Sequence, residues 1–176
     1  GIESYAIAER AYQRALNFAR DRVQGRAVGD ISAERKAIVR HPDVQRMLLS
    51  MRSRIEAMRA LSLFAAASAD RASHHPAGDE RALGQRRVEV LTPVVKGWSS
   101  EVSNEITGLG LQVHGGMGFI EETGAAQHYR DARITTIYEG TTGIQAADLV
   151  GRKLLRDGGS MVNELIELMR ADLTAV

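Results

Sequence analysis

The sequence contains no cysteine, which excludes a disulfide framework and any thiolate metal site and suits a reducing cytoplasm. Two of its three prolines and most of its glycines sit at joints between periodic stretches. Lys and Arg nearly cancel Asp and Glu, leaving a net charge of +1. That balance gives no electrostatic reason to propose nucleic acid or an anionic membrane as partner. No apolar run approaches the roughly 20 residues needed to span a bilayer, and no charged-then-apolar signal segment opens the chain. Alternation of apolar and polar residues is almost absent, as are internal repeats and low-complexity tracts. The 176 residues suit one domain with a single sizeable core. The chain starts at Gly1 already in a helical pattern and without an initiator Met, as expected of a piece of a longer protein.

What is present is helical period. From Ser4 to Arg22, Tyr5, Ala8, Tyr12, Ala15, Leu16, Ala19 and Val23 recur at three-to-four spacing, with Glu9, Arg10, Arg14 and Arg20 between them. This predicts a helix with one apolar stripe. Gln24 to Asp30 carries two glycines and ends it. Ile31 to His41 reads as a polar connector. Pro42 suits a first helical position, where its missing N–H leaves no bond unmade. The longest helix follows, with Val44, Met47, Leu48, Met51, Ile55, Met58, Leu61 and Ala65 inward. The small residues from Ala60 to Ala69 predict a second, closely packed face. Ser73 to Asp79 reads as a loop.

A third helix is expected from Glu80, with Leu83, Val88, Leu91, Val94, Val95, Trp98, Val102 and Ile106 inward and a kink or split at Pro93. A further helix spans about Gly143 to Leu155, capped at Asp157-Gly158-Gly159, and Met161 to Leu173 forms a last short one. Together these predict an all-α fold, an up-and-down bundle of four or so long helices in a single domain, 1–176.

Between the third helix and the end lies Gln112 to Gln145, with a glycine-rich turn (Gly115, Gly116, Gly118) and a carboxylate in a small-residue turn, Glu139-Gly140-Thr141-Thr142. One reading of Glu139 is a carboxylate favourable to the dipole of the helix that follows. The other is a base: Ile134, Thr135, Thr136, Ile137 and Tyr138 are β-branched or aromatic, so its approach is expected to be buried and its pKa raised. A helix opening at Thr141-Thr142-Gly143 would also aim free N–H groups at a bound anion or carbonyl. The glycines do not form a dinucleotide fingerprint, because Val113 stands where the third glycine is required and no strand precedes it. The histidines lack metal-ligand spacing, so no metal is expected. Ser99, Ser100 and Ser103 have no histidine at a suggestive spacing for nucleophilic chemistry.

The segment LQVHGGMGFIEETGAAQHYRDARITTIYEGTTGIQ resembles the C-terminal domain of the acyl-CoA dehydrogenases. The resemblance rests on Gln112-x-x-Gly115-Gly116-x-Gly118-Phe119, then Arg130-Asp131-Ala132, then Ile137-Tyr138-Glu139-Gly140-Thr141. The first helix is similar to that family's as well. The resemblance implies an FAD-dependent oxidoreductase of fatty acid metabolism that converts acyl-CoA thioesters to trans-2-enoyl-CoA. Glu139 would take the α-proton, with Tyr138 and Gly140 flanking the substrate. Thr141 and Gly143 would lie by the flavin. Arg22, Gln24, Gln112, Gly115 and Gly116 would contact the cofactor of a partner subunit. Gly25 stands where the family often has an aromatic residue, and Gly143 where many members have Gln. Implied partners are the acyl-CoA substrate, electron-transfer flavoprotein or a similar acceptor, and further copies in a homodimer or homotetramer. The family's N-terminal helical domain and middle β-domain have no counterpart here, so the isolated chain is expected to be inactive. The alternative is a non-catalytic helical scaffold or an oligomerisation or interaction module derived from the same fold.

Overall fold

The computed structural model describes residues 1–29, 31 and 34–174, and their regular elements are helical. This agrees with the all-α expectation; the β pairing among the described residues is an isolated bridge between Val23 and Ala37. Asp30 of the expected helix break and Ser32 and Ala33 of the expected connector lie outside the described residues. The α-helices in chain order are α1 (Ile2–Asp21), α2 (Pro42–His74), α3 (Gly78–His114), α4 (Gly116–Phe119), α5 (Ala125–Thr135), α6 (Thr142–Asp148) and α7 (Ser160–Thr174). Short 3-10 turns at Ile38–Arg40 and Glu121–Thr123 and a π-helical stretch at Leu149–Leu154 lie between them. Two compact units result, Gly1–Arg59 with Ser99–Tyr138, and Ala60–Trp98 with Glu139–Val176.

In the first unit, α1 buries a line of small residues, Ser4, Ala8, Ala11, Ala15 and Ala19. The expected stripe is thus corrected. Tyr5, Tyr12 and Leu16 flank the line half-buried, and Val23 is exposed past the helix end. The reason is close approach: an added Cβ on Gly110 of α3 would stand 3.8 Å from the Ala11 carbonyl, and Ser103 Oγ donates to the Ser4 carbonyl at 2.8 Å. Tyrosine rings do not fit such a seam. They take the rim instead, where Arg59 and Arg52 lie over Tyr5 and Tyr12 at 5.8 Å and both reach toward Glu9. Helix α5 packs on α1 and buries Ala125, Ala126 and Ala132. Met47, Leu48, Met51, Ile55 and Met58 of α2 meet Val102, Ile106 and Val113 of α3. Each fully buried Met or Ile there contributes about 1.5–3 kcal/mol relative to exposure.

In the second unit, α2 and α3 run antiparallel and very close, as the small residues of Ala60 to Ala69 predict. An added Cβ on Gly84 would stand 2.7 Å from Ala72 N and 2.8 Å from the Ser68 carbonyl. Val90 and Leu91 of α3 pack on Met161 and Leu165 of α7. The expected loop from Ser73 to Asp79 shrinks to three residues, because Arg81 donates to the carbonyls of His75 and Pro76 at 2.7 and 2.9 Å and closes the turn. Pro93 does not split α3. It removes one backbone donor, and neighbouring Thr92 Oγ1 bonds the Val88 carbonyl at 2.7 Å. Trp98 is exposed instead of inward, because Ser99, Ser100 and Ser103 hold the buried face of that part of α3. Among the described residues, no helix is long and apolar enough to cross a membrane.

Candidate functional site

Helix α1 ends at Asp21 because Gln24-Gly25 turns the chain away, with Gln24 N bonding Lys36 O at 3.0 Å and Gly25 at φ 69°. Helix α3 ends at His114, where Gly115 takes φ 60° and α4 begins. These two ends face a common cleft of about 430 Å³, lined by Arg22, Gln24, Gln112, Gly115 and Gly116. All five of the sequence-derived cofactor positions in the first unit therefore meet, although some ninety residues separate the two groups. Nothing lies within 4 Å of where a Cβ would stand on Gly115 or Gly116, so the backbone there is open to approach. Arg22 Nη2 donates to Gln24 Oε1 at 3.4 Å, and the His41 ring reaches the Gln24 carbonyl at 2.8 Å. Phe18, Ile38, Val113, His114 and Met117 complete the lining. Phe18, Ile38 and Met117 carry no sequence signal for this role.

His114 is 5% exposed, stacks on Phe18 at 4.4 Å and donates from Nδ1 to the Gly110 carbonyl at 2.7 Å. Burial, and then the Arg14 charge, push its pKa below the usual imidazole range against the opposing effect of the Gly110 hydrogen bond. His128 shifts the same way, through burial and then repulsion from Arg14 and Arg10. Both rings favour the neutral form in the fold. Below the ordinary histidine value of about 6.5 the unfolded chain takes up protons first. Stability is therefore fully present above that value and declines as pH falls through the folded pKa. Denaturant midpoints measured between pH 7.5 and 5 are expected to drop, and a His114→Gln variant to show a flatter decline. A profile unchanged by the substitution would remove His114 as a contributor.

The remaining positions stand at the start of the second unit and just before it. The Tyr138 hydroxyl donates to the Glu3 carboxylate. Glu139 has φ 54°, the one positive φ of a non-glycine among the described residues, and Gly140 follows at 89°. An L-residue in this region costs about 1–2 kcal/mol. Thr141 then caps α6, its Oγ1 accepting from Ile144 N at 3.4 Å. Gln145 Nε2 donates to the Glu139 carbonyl at 3.2 Å, a partner that the sequence reading does not single out. The expected burial of the approach is only half formed. Thr135 and Thr136 are buried, with their hydroxyls bonded to the Ala132 and Arg133 carbonyls. Ile134 and Ile137, however, are about half exposed, and Glu139 is exposed in this chain. The β-branched run sits on the end of a helix and its turn, so its members point to different sides instead of sealing one wall. No cluster of metal-binding side chains forms among the described residues.

The family model for the acyl-CoA dehydrogenase C-terminal domain matches residues 1–155. The chain is similar to 3-methylmercaptopropionyl-CoA dehydrogenase of Ruegeria pomeroyi, 53% identical over 171 residues, covering 97% of this chain and 29% of that protein. It is 38% identical over 163 residues to the broad-specificity linear acyl-CoA dehydrogenase FadE5 of Mycobacterium tuberculosis, covering 90% of this chain and 27% of that one. The structure of butyryl-CoA dehydrogenase from Megasphaera elsdenii aligns with a TM-score of 0.63 at 28% identity, over 86% of this chain and 34% of the other. The chain thus spans less than a third of the length of these two sequence relatives.

Proposed function

The chain belongs to the acyl-CoA dehydrogenase family, and we propose that it is the C-terminal portion of an FAD-dependent member and carries that enzyme's catalytic base, Glu139. The observation that carries this reading is the backbone of Glu139. A glycine would hold φ 54° without strain, so a carboxylate kept there at a stability cost points to a task for the carboxylate.

In the proposed reaction Glu139 takes the α-proton of an acyl-CoA thioester. The electron pair of that C–H bond becomes the new carbon–carbon double bond as the β-hydrogen departs as hydride. Bound FAD supplies the hydride acceptor. The Glu139 N–H donates to the thioester carbonyl oxygen, which draws charge toward oxygen and acidifies the α-carbon. Gly140 leaves room for the thioester, and Tyr138, held by Glu3, flanks it. Thr141 and Gly143 would lie beside the flavin. The exposure of Glu139 in this chain assigns the desolvation of the base to the acyl chain and to the rest of the longer protein.

The lining of the first-unit cleft suits the nucleotide end of FAD. Arg22 offers a cation for pyrophosphate, Gln24 and Gln112 offer amides, and Gly115 and Gly116 offer unobstructed backbone. We assign this cleft to the cofactor of a partner subunit, which makes a homodimer or homotetramer the working form. Electron-transfer flavoprotein or a similar acceptor would reoxidise the flavin. The likeness to a 3-methylmercaptopropionyl-CoA dehydrogenase makes a short thioether acyl-CoA the first substrate to try. The test is anaerobic titration of the full-length protein with a panel of acyl-CoAs while flavin absorbance is followed. Bleaching by one of them is the expected result. A bound flavin that none reduces, or no flavin at all, would overturn the reading.

A further inference from the structure

Resting on the assignment of Glu139 as base, we propose that Gln145 is the positioning residue that fixes the base's strained peptide. Its side-chain amide bonds the Glu139 carbonyl, and it acts through Glu139. A residue at φ 54° relaxes unless its surroundings hold it. The contact that the structure offers to the Glu139 carbonyl comes from the Gln145 side chain, Nε2 donating at 3.2 Å. The same residue's backbone N–H bonds the Thr141 carbonyl at 3.0 Å. Gln145 thus grips the turn at two points, one on each side of Gly140.

The neighbours are shaped around this grip. A Cβ on residue 140 would stand 2.8 Å from Gln145 Nε2, so glycine at 140 is what lets the amide reach the carbonyl. Gly97 of α3 is buried, and a Cβ there would lie 3.5 Å from Gln145 Cβ, so the stem of the side chain rests against a bare stretch of helix. Fixing the Glu139 carbonyl fixes the plane of the Glu139–Gly140 peptide. With the α6 cap on the far side of that peptide, this sets the direction in which the carboxylate leaves the backbone. Proton abstraction depends steeply on that direction, since misplacement by about 1 Å can cost on the order of 10²-fold in rate.

The test uses full-length protein carrying Gln145→Met, which keeps the length and removes the donor. We expect kcat to fall about tenfold to a hundredfold, with KM little changed. The isotope effect for α-deuterated acyl-CoA should rise as proton abstraction becomes limiting. In a Glu139→Gln background the same substitution should add no further loss, because it acts through the base. Unchanged kcat and isotope effect in Gln145→Met, or losses that multiply with those of Glu139→Gln, would overturn the proposal and leave the base assignment standing. If Glu139→Gln alone keeps normal turnover, the base assignment falls, and this inference falls with it.

Discussion

On the proposed base assignment, replacing Glu139 by Gln in the full-length protein is expected to slow flavin reduction by acyl-CoA by about 10²- to 10⁴-fold, the range for losing a general base. The amide has nearly the shape of the carboxylate but cannot take up the α-proton. Its backbone N–H remains, so substrate affinity should change little, and the loss should appear in the rate of bleaching at saturation. Because Glu139 is exposed in this chain, stability should hold within about 0.5 kcal/mol. Glu139→Gly makes the complementary case. It should lose the same activity while gaining up to about 1 kcal/mol, since glycine accepts φ 54° at no steric cost. Parallel stopped-flow and thermal-unfolding measurements on the two variants check both expectations. Rapid bleaching by either variant would remove Glu139 from the chemistry.

The largest effect on stability is expected at Gly84. A Cβ there would stand 2.7 Å from Ala72 N, 2.8 Å from the Ser68 carbonyl and 3.1 Å from Ala72 Cα. All three are backbone atoms, so no side chain can rotate away and α2 and α3 themselves must separate. Gly84→Val should lose on the order of 3 kcal/mol, at the upper end of overpacking effects, or roughly 10 °C in melting temperature for a chain of this size. Gly151→Ala is the control, since nothing lies within 4 Å of its added methyl and alanine favours helix. Its melting temperature should hold or rise. Equal behaviour of the two variants would mean that the close approach at Gly84 is not maintained in solution.

The parts of the molecule that were legible in the sequence are those set by local period. The Met47, Leu48, Met51, Ile55 and Met58 line announces its buried face, and Pro42 begins α2 where its missing donor predicts. Thr141 caps α6 for a similarly local reason. What period cannot say is which of two apolar faces meets a neighbour. Tyr5 and Tyr12 share a repeat with Ala8 and Ala15, yet the small residues are buried, because backbone-to-backbone distance decides and that distance is a tertiary property. Trp98 looks inward by spacing, but the serines beside it hold the buried face. The cleft was legible through the family motifs at its corners, Arg22 and Gly115. Its apolar lining at Phe18 and Ile38 was not, since nothing local brings the end of one helix to the end of another. The strain at Glu139 was illegible for a simpler reason. Tyr-Glu-Gly-Thr shows a glycine that accepts positive φ and gives no sign that its neighbour adopts it too.

The alanine line of α1 has a consequence for how this domain can change over generations. An alanine side chain has no rotamers to freeze, so the seam orders itself with almost no loss of side-chain entropy. For the same reason it has no freedom with which to absorb a newcomer. Methionine at positions 47, 51 and 58 can exchange with leucine or isoleucine by repacking, so many sequences satisfy that side of the core. Ala8, Ala11, Ala15 and Ala19 admit only residues as small as themselves. Neutral drift should therefore spread widely through α2 and stall along one face of α1, the face that keeps the ends of α1 and α3 at the separation that forms the cleft.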